Sequence, residues 1–110
     1  MSTINAMGGG TATAAAGAAT LANRSGKITS ESLTTAQGAS YTLTLTNTTA
    51  KATDVVLASL ANGTNSQATP VIIRATPADG SIVFIVKNMH DSAVALNGTI
   101  VVSYVCVGQS

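Results

Sequence analysis

The stretch Gly38–Asn47 reads Gly-Ala-Ser-Tyr-Thr-Leu-Thr-Leu-Thr-Asn, and it constrains the fold more than any other part of the chain. Side chains of an extended strand point alternately to opposite faces. Tyr41, Leu43 and Leu45 therefore share one face, and Ser40, Thr42, Thr44 and Thr46 share the other. That is the pattern of a half-buried strand. The threonines are β-branched and suit the pleated outer surface.

The same theme recurs along the chain. Lys27–Leu33 predicts a weak, polar strand at a sheet edge. Asp54–Leu60 predicts a strand with both faces partly apolar. Pro70 suits a strand beginning, because it cannot donate to a ladder, and Val71–Thr76 follows as that strand. Pro77-Ala78-Asp79-Gly80 has the chemistry of a β-turn. Ser81–Lys87 and Thr99–Val107 are apolar on both faces, which predicts central, well-covered strands. Asn97-Gly98 is the strongest hairpin signal present. Six strands at nearly regular spacing predict an all-β fold, a small antiparallel β-sandwich of jelly-roll or immunoglobulin-like type. Its core is expected from Ile82, Phe84, Val86, Ile100, Val102 and Tyr104.

Residues 1–22 read differently. Gly8-Gly9-Gly10 and the run from Thr11 to Thr20 are made of glycine, alanine and threonine. Such residues bury little, and no helical apolar stripe is present. The expectation is an N-terminal arm over 1–22, either ordered against a partner or a disordered tail, and a sandwich domain over 23–110. No secretory leader is expected, since no basic residue precedes Arg24 and the N-terminal stretch holds no solid leucine-rich or valine-rich core segment. No apolar run is long enough for a helix across a membrane.

Composition narrows the function. Only 8% of the residues are charged, against about 25% in ordinary soluble domains. Charged side chains are what blunt the edges of exposed sheets. Their scarcity fits either a monomer coated with Thr, Asn and Ser or a surface covered in an assembly, and the unblunted sheet edges favour the assembly. The net charge is +1 and the five basic residues are scattered, so no nucleic-acid footprint is expected.

No catalytic, cofactor-binding or metal-binding residue is expected. His90 is the only histidine, and its neighbours Asp91 and Ser92 cannot form a triad with it, so it reads as a solvent-facing loop residue. Glu31, Asp54, Asp79 and Asp91 share no short motif. One histidine and one cysteine cannot make a structural zinc site within a chain. Cys106 lies in an apolar run and reads as a small buried hydrophobe. Gly8–Gly10 lacks the lysine of a phosphate loop. Asn23, Asn47, Asn62 and Asn97 each begin a glycosylation-type triplet, a pattern that chance supplies in a chain this rich in Thr and Asn.

The segment Gly26–Ala36, the Gly38–Asn47 strand, Asn62-Gly63-Thr64-Asn65, the Thr76–Ser81 turn and Leu96–Ile100 resemble small structural proteins of tailed bacteriophages. The similarity is to capsid decoration, or cement, proteins and spans about residues 20–107. The resemblance implies a virion protein on the outer capsid surface, often a homotrimer, that ties neighbouring major capsid protein subunits together. It implies no nucleic-acid or membrane partner. A second resemblance, carried by Tyr41–Asn47 and the valine-rich Asp54–Leu57, is to repeated sandwich domains of bacterial surface proteins. A sugar-binding or enzymatic sandwich is the remaining alternative. It lacks aromatic platforms, since Tyr41, Phe84 and Tyr104 all occupy strand positions that read as buried.

Overall fold

A computed structural model of the chain describes residues 10–108. They form eight strands: β1 (Gly10–Thr13), β2 (Ala18–Thr20), β3 (Ser25–Thr29), β4 (Ser40–Thr46), β5 (Val55–Asn62), β6 (Pro70–Ala78), β7 (Ser81–Asn88) and β8 (Ile100–Val107). Two four-stranded sheets result, the first in the order β1-β3-β8-β5 and the second β2-β4-β7-β6. The arrangement is that of a small β-sandwich.

The core lies where the alternating faces meet. In β4 Tyr41, Leu43 and Leu45 are buried and Thr42, Thr44 and Thr46 exposed, as the alternation requires. Leu43 pairs with Phe84 and Leu45 with Ile82 on the antiparallel neighbour β7. Across the sandwich, β8 sends in Ile100, Val102, Tyr104 and Cys106. Ile28 of β3 completes this layer beside Val102. All six residues expected in the core are buried.

The sheets are mixed rather than antiparallel throughout. β1 runs parallel to β3, with Ala12 opposite Ile28, and β2 runs parallel to β4, with Ala19 opposite Leu45. This corrects the arm expected over 1–22. Residues 10–20 belong to the sandwich, contributing one edge strand to each sheet, while residues 1–9 lie outside the described residues. The composition that suggests an arm is what the crossing requires. The chain leaves one sheet and enters the other within Ala14-Ala15-Ala16-Gly17, where Ala14 and, in β2, Ala19 are buried and a larger side chain has no room. Gly17 has φ +78° and its carbonyl accepts from the Thr44 amide at 2.8 Å. A Cβ there would lie 2.7 Å from the Thr42 carbonyl oxygen.

The expected Lys27–Leu33 edge strand is likewise corrected. β3 ends at Thr29 and is interior, between β1 and β8. At Ser30 the chain turns: its hydroxyl accepts from the Ile100 amide at 2.9 Å and donates to the Glu31 carbonyl at 2.7 Å. β6 is longer than expected and takes in Pro77, which its position at the sheet edge permits. A bulge falls between Ile72 and Arg74. Asp79-Gly80 closes the β6–β7 hairpin, where Ala78 pairs with Ser81.

Asn97-Gly98 makes no hairpin. It leads into β8, which lies in the other sheet from β7. Its turn chemistry serves a different contact, a reciprocal lock with the triplet Asn62-Gly63-Thr64. The Thr64 amide donates to Thr99 Oγ1 at 2.8 Å, and the Thr99 amide donates to Thr64 Oγ1 at 2.8 Å. The Asn97 amide donates to Asn65 Oδ1 at 2.8 Å, and the Ser66 amide to Asn97 Oδ1 at 2.8 Å. Glycine is required on both sides of the lock, because a Cβ on Gly98 would strike the Thr64 hydroxyl and one on Gly63 the Thr99 hydroxyl.

Candidate functional site

The polar residues with chemical potential are dispersed, and the described bonds show what each holds. The Tyr41 hydroxyl donates to Glu31 Oε1 at 2.7 Å, tying β4 to the segment after β3. Asp79 accepts from the Ala52 amide at 2.9 Å. Asp91 is fully solvated, and its oxygen lies 3.9 Å from His90 Nε2. His90 was expected to face solvent and is instead half-buried, with Nδ1 3.0 Å from Thr69 Oγ1 and its carbonyl accepting from Gln37 at 3.1 Å. Among the described residues no three of His, Cys, Asp and Glu come together as a metal site would need.

Asp54 sits in the tightest polar knot. Arg24 Nη1 donates to Asp54 Oδ2 at 2.8 Å and to the Thr49 carbonyl at 2.6 Å, while Nη2 lies 3.4 Å from the Cys106 carbonyl. The Lys51 amide donates to the same Asp54 oxygen at 3.1 Å. The guanidinium bond holds the Asp54 carboxyl below the usual carboxylate range and holds Arg24 above its own. Burial pushes the Cys106 thiol up, so it is not a poised nucleophile. These groups join the start of β3, the β4–β5 connection and β8.

Three buried asparagines, Asn47, Asn65 and Asn88, do comparable work, and no local pattern in the sequence marks them for it. Asn47 donates to the Asn23 carbonyl at 2.8 Å and to the Tyr104 hydroxyl at 3.3 Å, and it accepts from the Thr49 amide and hydroxyl at 2.9 and 2.6 Å. Asn88 donates to the Thr35 and Val94 carbonyls and accepts from the His90 amide at 3.1 Å. Asn65 donates to Asn62 Oδ1 and to the Gln67 carbonyl. With both ends of the Asn47 amide engaged and the residue fully buried, its glycosylation-type triplet has no accessible acceptor in the folded chain.

The face that stands out is apolar. On the outer side of the first sheet, Val55 pairs with Val107 and Leu57 with Val105. Val55, Leu57 and Val107 are 44%, 60% and 46% exposed. Leu57, Ser59, Ser103 and Val105 line a shallow depression there. Ser81–Lys87 and Thr99–Val107 were expected to be covered on both faces. Their inner faces are, whereas the outer Val83, Ile85, Val101 and Val105 are only half-buried. The apolar signal on those outer faces marks an open surface rather than a second buried layer. The signal was present in the sequence at Asp54–Leu60 and Thr99–Val107, but periodicity does not say whether a second layer covers an apolar face.

No family model, no curated protein and no solved structure matches this chain.

Proposed function

We propose that the chain is a structural virion protein that decorates the outside of a bacteriophage capsid and stabilises it by bridging major capsid protein subunits. In this reading it acts as a homo-oligomer, a trimer in the form that the resemblance implies, and by binding rather than by catalysis. The finer topology is read as a jelly-roll or immunoglobulin-like variant with an added parallel strand on each sheet.

The observation that carries the proposal is the pairing of a charge-poor surface with open apolar sheet faces. A chain with 8% charged residues presents Leu57 at 60% exposure and Val55 and Val107 at over 40%. Surfaces of that kind favour contact with other protein surfaces. The outer face of β4, by contrast, is an uncharged row of serine and threonine suited to solvent.

The test is addition of the purified chain to capsid shells that lack it, followed by sedimentation and by counting copies per shell. Saturable binding in a fixed ratio to the major capsid protein, with raised resistance of the shell to heat, is the expected result. Absence of binding to shells, with recovery of the chain in a bacterial surface layer, would replace the proposal with the surface-protein reading.

A further inference from the structure

Two of the four sheet edges are short, the four residues of β1 and the three of β2. The other two are long, and they differ in a telling way. β6 carries the devices that stop a sheet edge from recruiting another strand: Pro70 and Pro77, which have no amide hydrogen, a bulge between Ile72 and Arg74, and the exposed charge of Arg74. β5, Val-Val-Leu-Ala-Ser-Leu-Ala-Asn, has none of them. It has no proline, no charge and no bulge, and its register against β8 is unbroken from Val55 to Asn62.

The unprotected edge adjoins the exposed apolar face. Val55 and Leu57 project from β5 itself, and Val105 and Val107 stand beside them on β8. The eight outward positions of the two strands, Val55 to Ala61 and Val101 to Val107 taken alternately, include no charged residue. Charge reaches this face at its margin, where the exposed Lys27 of β3 lies opposite Ser103. Two copies that meet along the β5 side of the strip bring no like charges together there, and that side offers a charged partner nothing to pair with. We infer that β5 and the adjoining outer face of β8 form a self-contact surface, occupied by a second copy of this chain.

The size of the surface sets the strength of the contact. An eight-residue strand is about 27 Å long, and two strands plus the open edge are about 15 Å wide. Each copy then contributes about 400 Å², or about 800 Å² for the pair, at the weak end of specific interfaces. Association in free solution is accordingly concentration-dependent. It becomes effective where copies are held side by side, because local concentration then replaces affinity. The inference rests on the oligomeric part of the proposed function and is independent of the shell.

The test uses the free protein. Sedimentation equilibrium over a wide concentration range should show reversible self-association of the native chain. Leu57→Lys, which places a charge at the most exposed apolar position, should weaken it at least about tenfold, whereas Thr44→Lys on the outer face of β4 should leave it unchanged. Ser59→Cys should cross-link between copies under mild oxidation and Thr44→Cys should not, which decides the matter even if the lysine variant folds poorly. A native chain that stays monomeric at millimolar concentration would overturn the inference. So would association that is indifferent to Leu57→Lys. A monomeric chain whose binding to shells is abolished by Leu57→Lys would reassign the face to the shell and leave the proposed function standing.

Discussion

Phe84 of β7 and Tyr104 of β8 meet across the two sheets, with ring centroids 6.0 Å apart and planes inclined by 51°. A tilted pair at this separation is a favourable aromatic geometry. Two of the three aromatic rings thus sit at the centre of the sandwich, and the Tyr104 hydroxyl reaches the Asn23 carbonyl at 2.8 Å. Phe84→Ala is expected to destabilise the fold by about 3–5 kcal/mol, through lost burial and the cavity left behind. Tyr104→Phe keeps the ring and removes the hydroxyl, leaving the Asn23 carbonyl with one partner fewer, for about 1 kcal/mol. Urea unfolding of both variants, compared at equal slope, measures the difference.

Asn47 is fully buried and engaged at both ends of its amide. Asn47→Leu keeps the volume, strands the Thr49 amide and leaves the Asn23 carbonyl with the Tyr104 hydroxyl alone, at about 1–3 kcal/mol for a group left unpaired in the interior. The expected result is a loss larger than that of any exposed asparagine, for instance Asn97→Leu. Thermal unfolding of the two variants compares them directly.

The lock between residues 62–66 and 97–99 predicts that Gly98→Ala is costly. Its Cβ would meet the Asn65 amide nitrogen and the Thr64 carbonyl carbon at 2.7 Å, and those atoms are backbone. Overpacking of this kind costs about 1–3 kcal/mol. Thr64→Ala in the same chain should not rescue it, because the backbone clash remains, whereas it should relieve part of the cost if only the hydroxyl is in the way. Stability of the two single variants and of the double variant separates these outcomes.

Removal of residues 1–20 is expected to destabilise the sandwich rather than merely trim it. The deletion takes away β1 and β2 and uncovers the inner edges at Ile28 and Leu45. Amide hydrogen exchange should show protection lost first in β3 and β4. Unchanged protection there would mean that the two short strands contribute nothing to the core.

Stability should fall at both ends of the pH range, for different groups. The Asp54 carboxyl is held below its ordinary value by Arg24. Its contribution is full above the ordinary carboxylate range and disappears as pH falls through the depressed native value. Tyr104 is pushed up to about 12 by burial, and Tyr41 is raised further by burial and by its bond to Glu31. Their contribution is full below the ordinary tyrosine value and is lost as pH climbs from there towards the raised native values. Thermal midpoints measured across the range should flatten in acid for Asp54→Asn and in alkali for Tyr104→Phe.

The alternation of Tyr41, Leu43 and Leu45 with threonine determined β4, and the apolar runs at Ser81–Lys87 and Thr99–Val107 determined the two strands that carry most of the core. Period and burial there depend on neighbouring residues of one strand, and that information is local. Which strands pair is a different matter. The Gly-Ala-Thr stretch of residues 10–20 carries no periodic signal, because its place in both sheets depends on smallness at a crossing and on partners more than ten residues away. Asn97-Gly98 has the chemistry of a hairpin, yet tertiary structure sends the following strand to the other sheet and makes the glycine a contact point for Thr64. Asn47, Asn65 and Asn88 look like ordinary turn residues until the chain closes around them, since a hydrogen-bond hub exists only when its distant partners arrive. The same holds for the outer face of β5 and β8. Its apolar character is written in the sequence, but only the arrangement of the sheets decides that nothing in the described chain covers it.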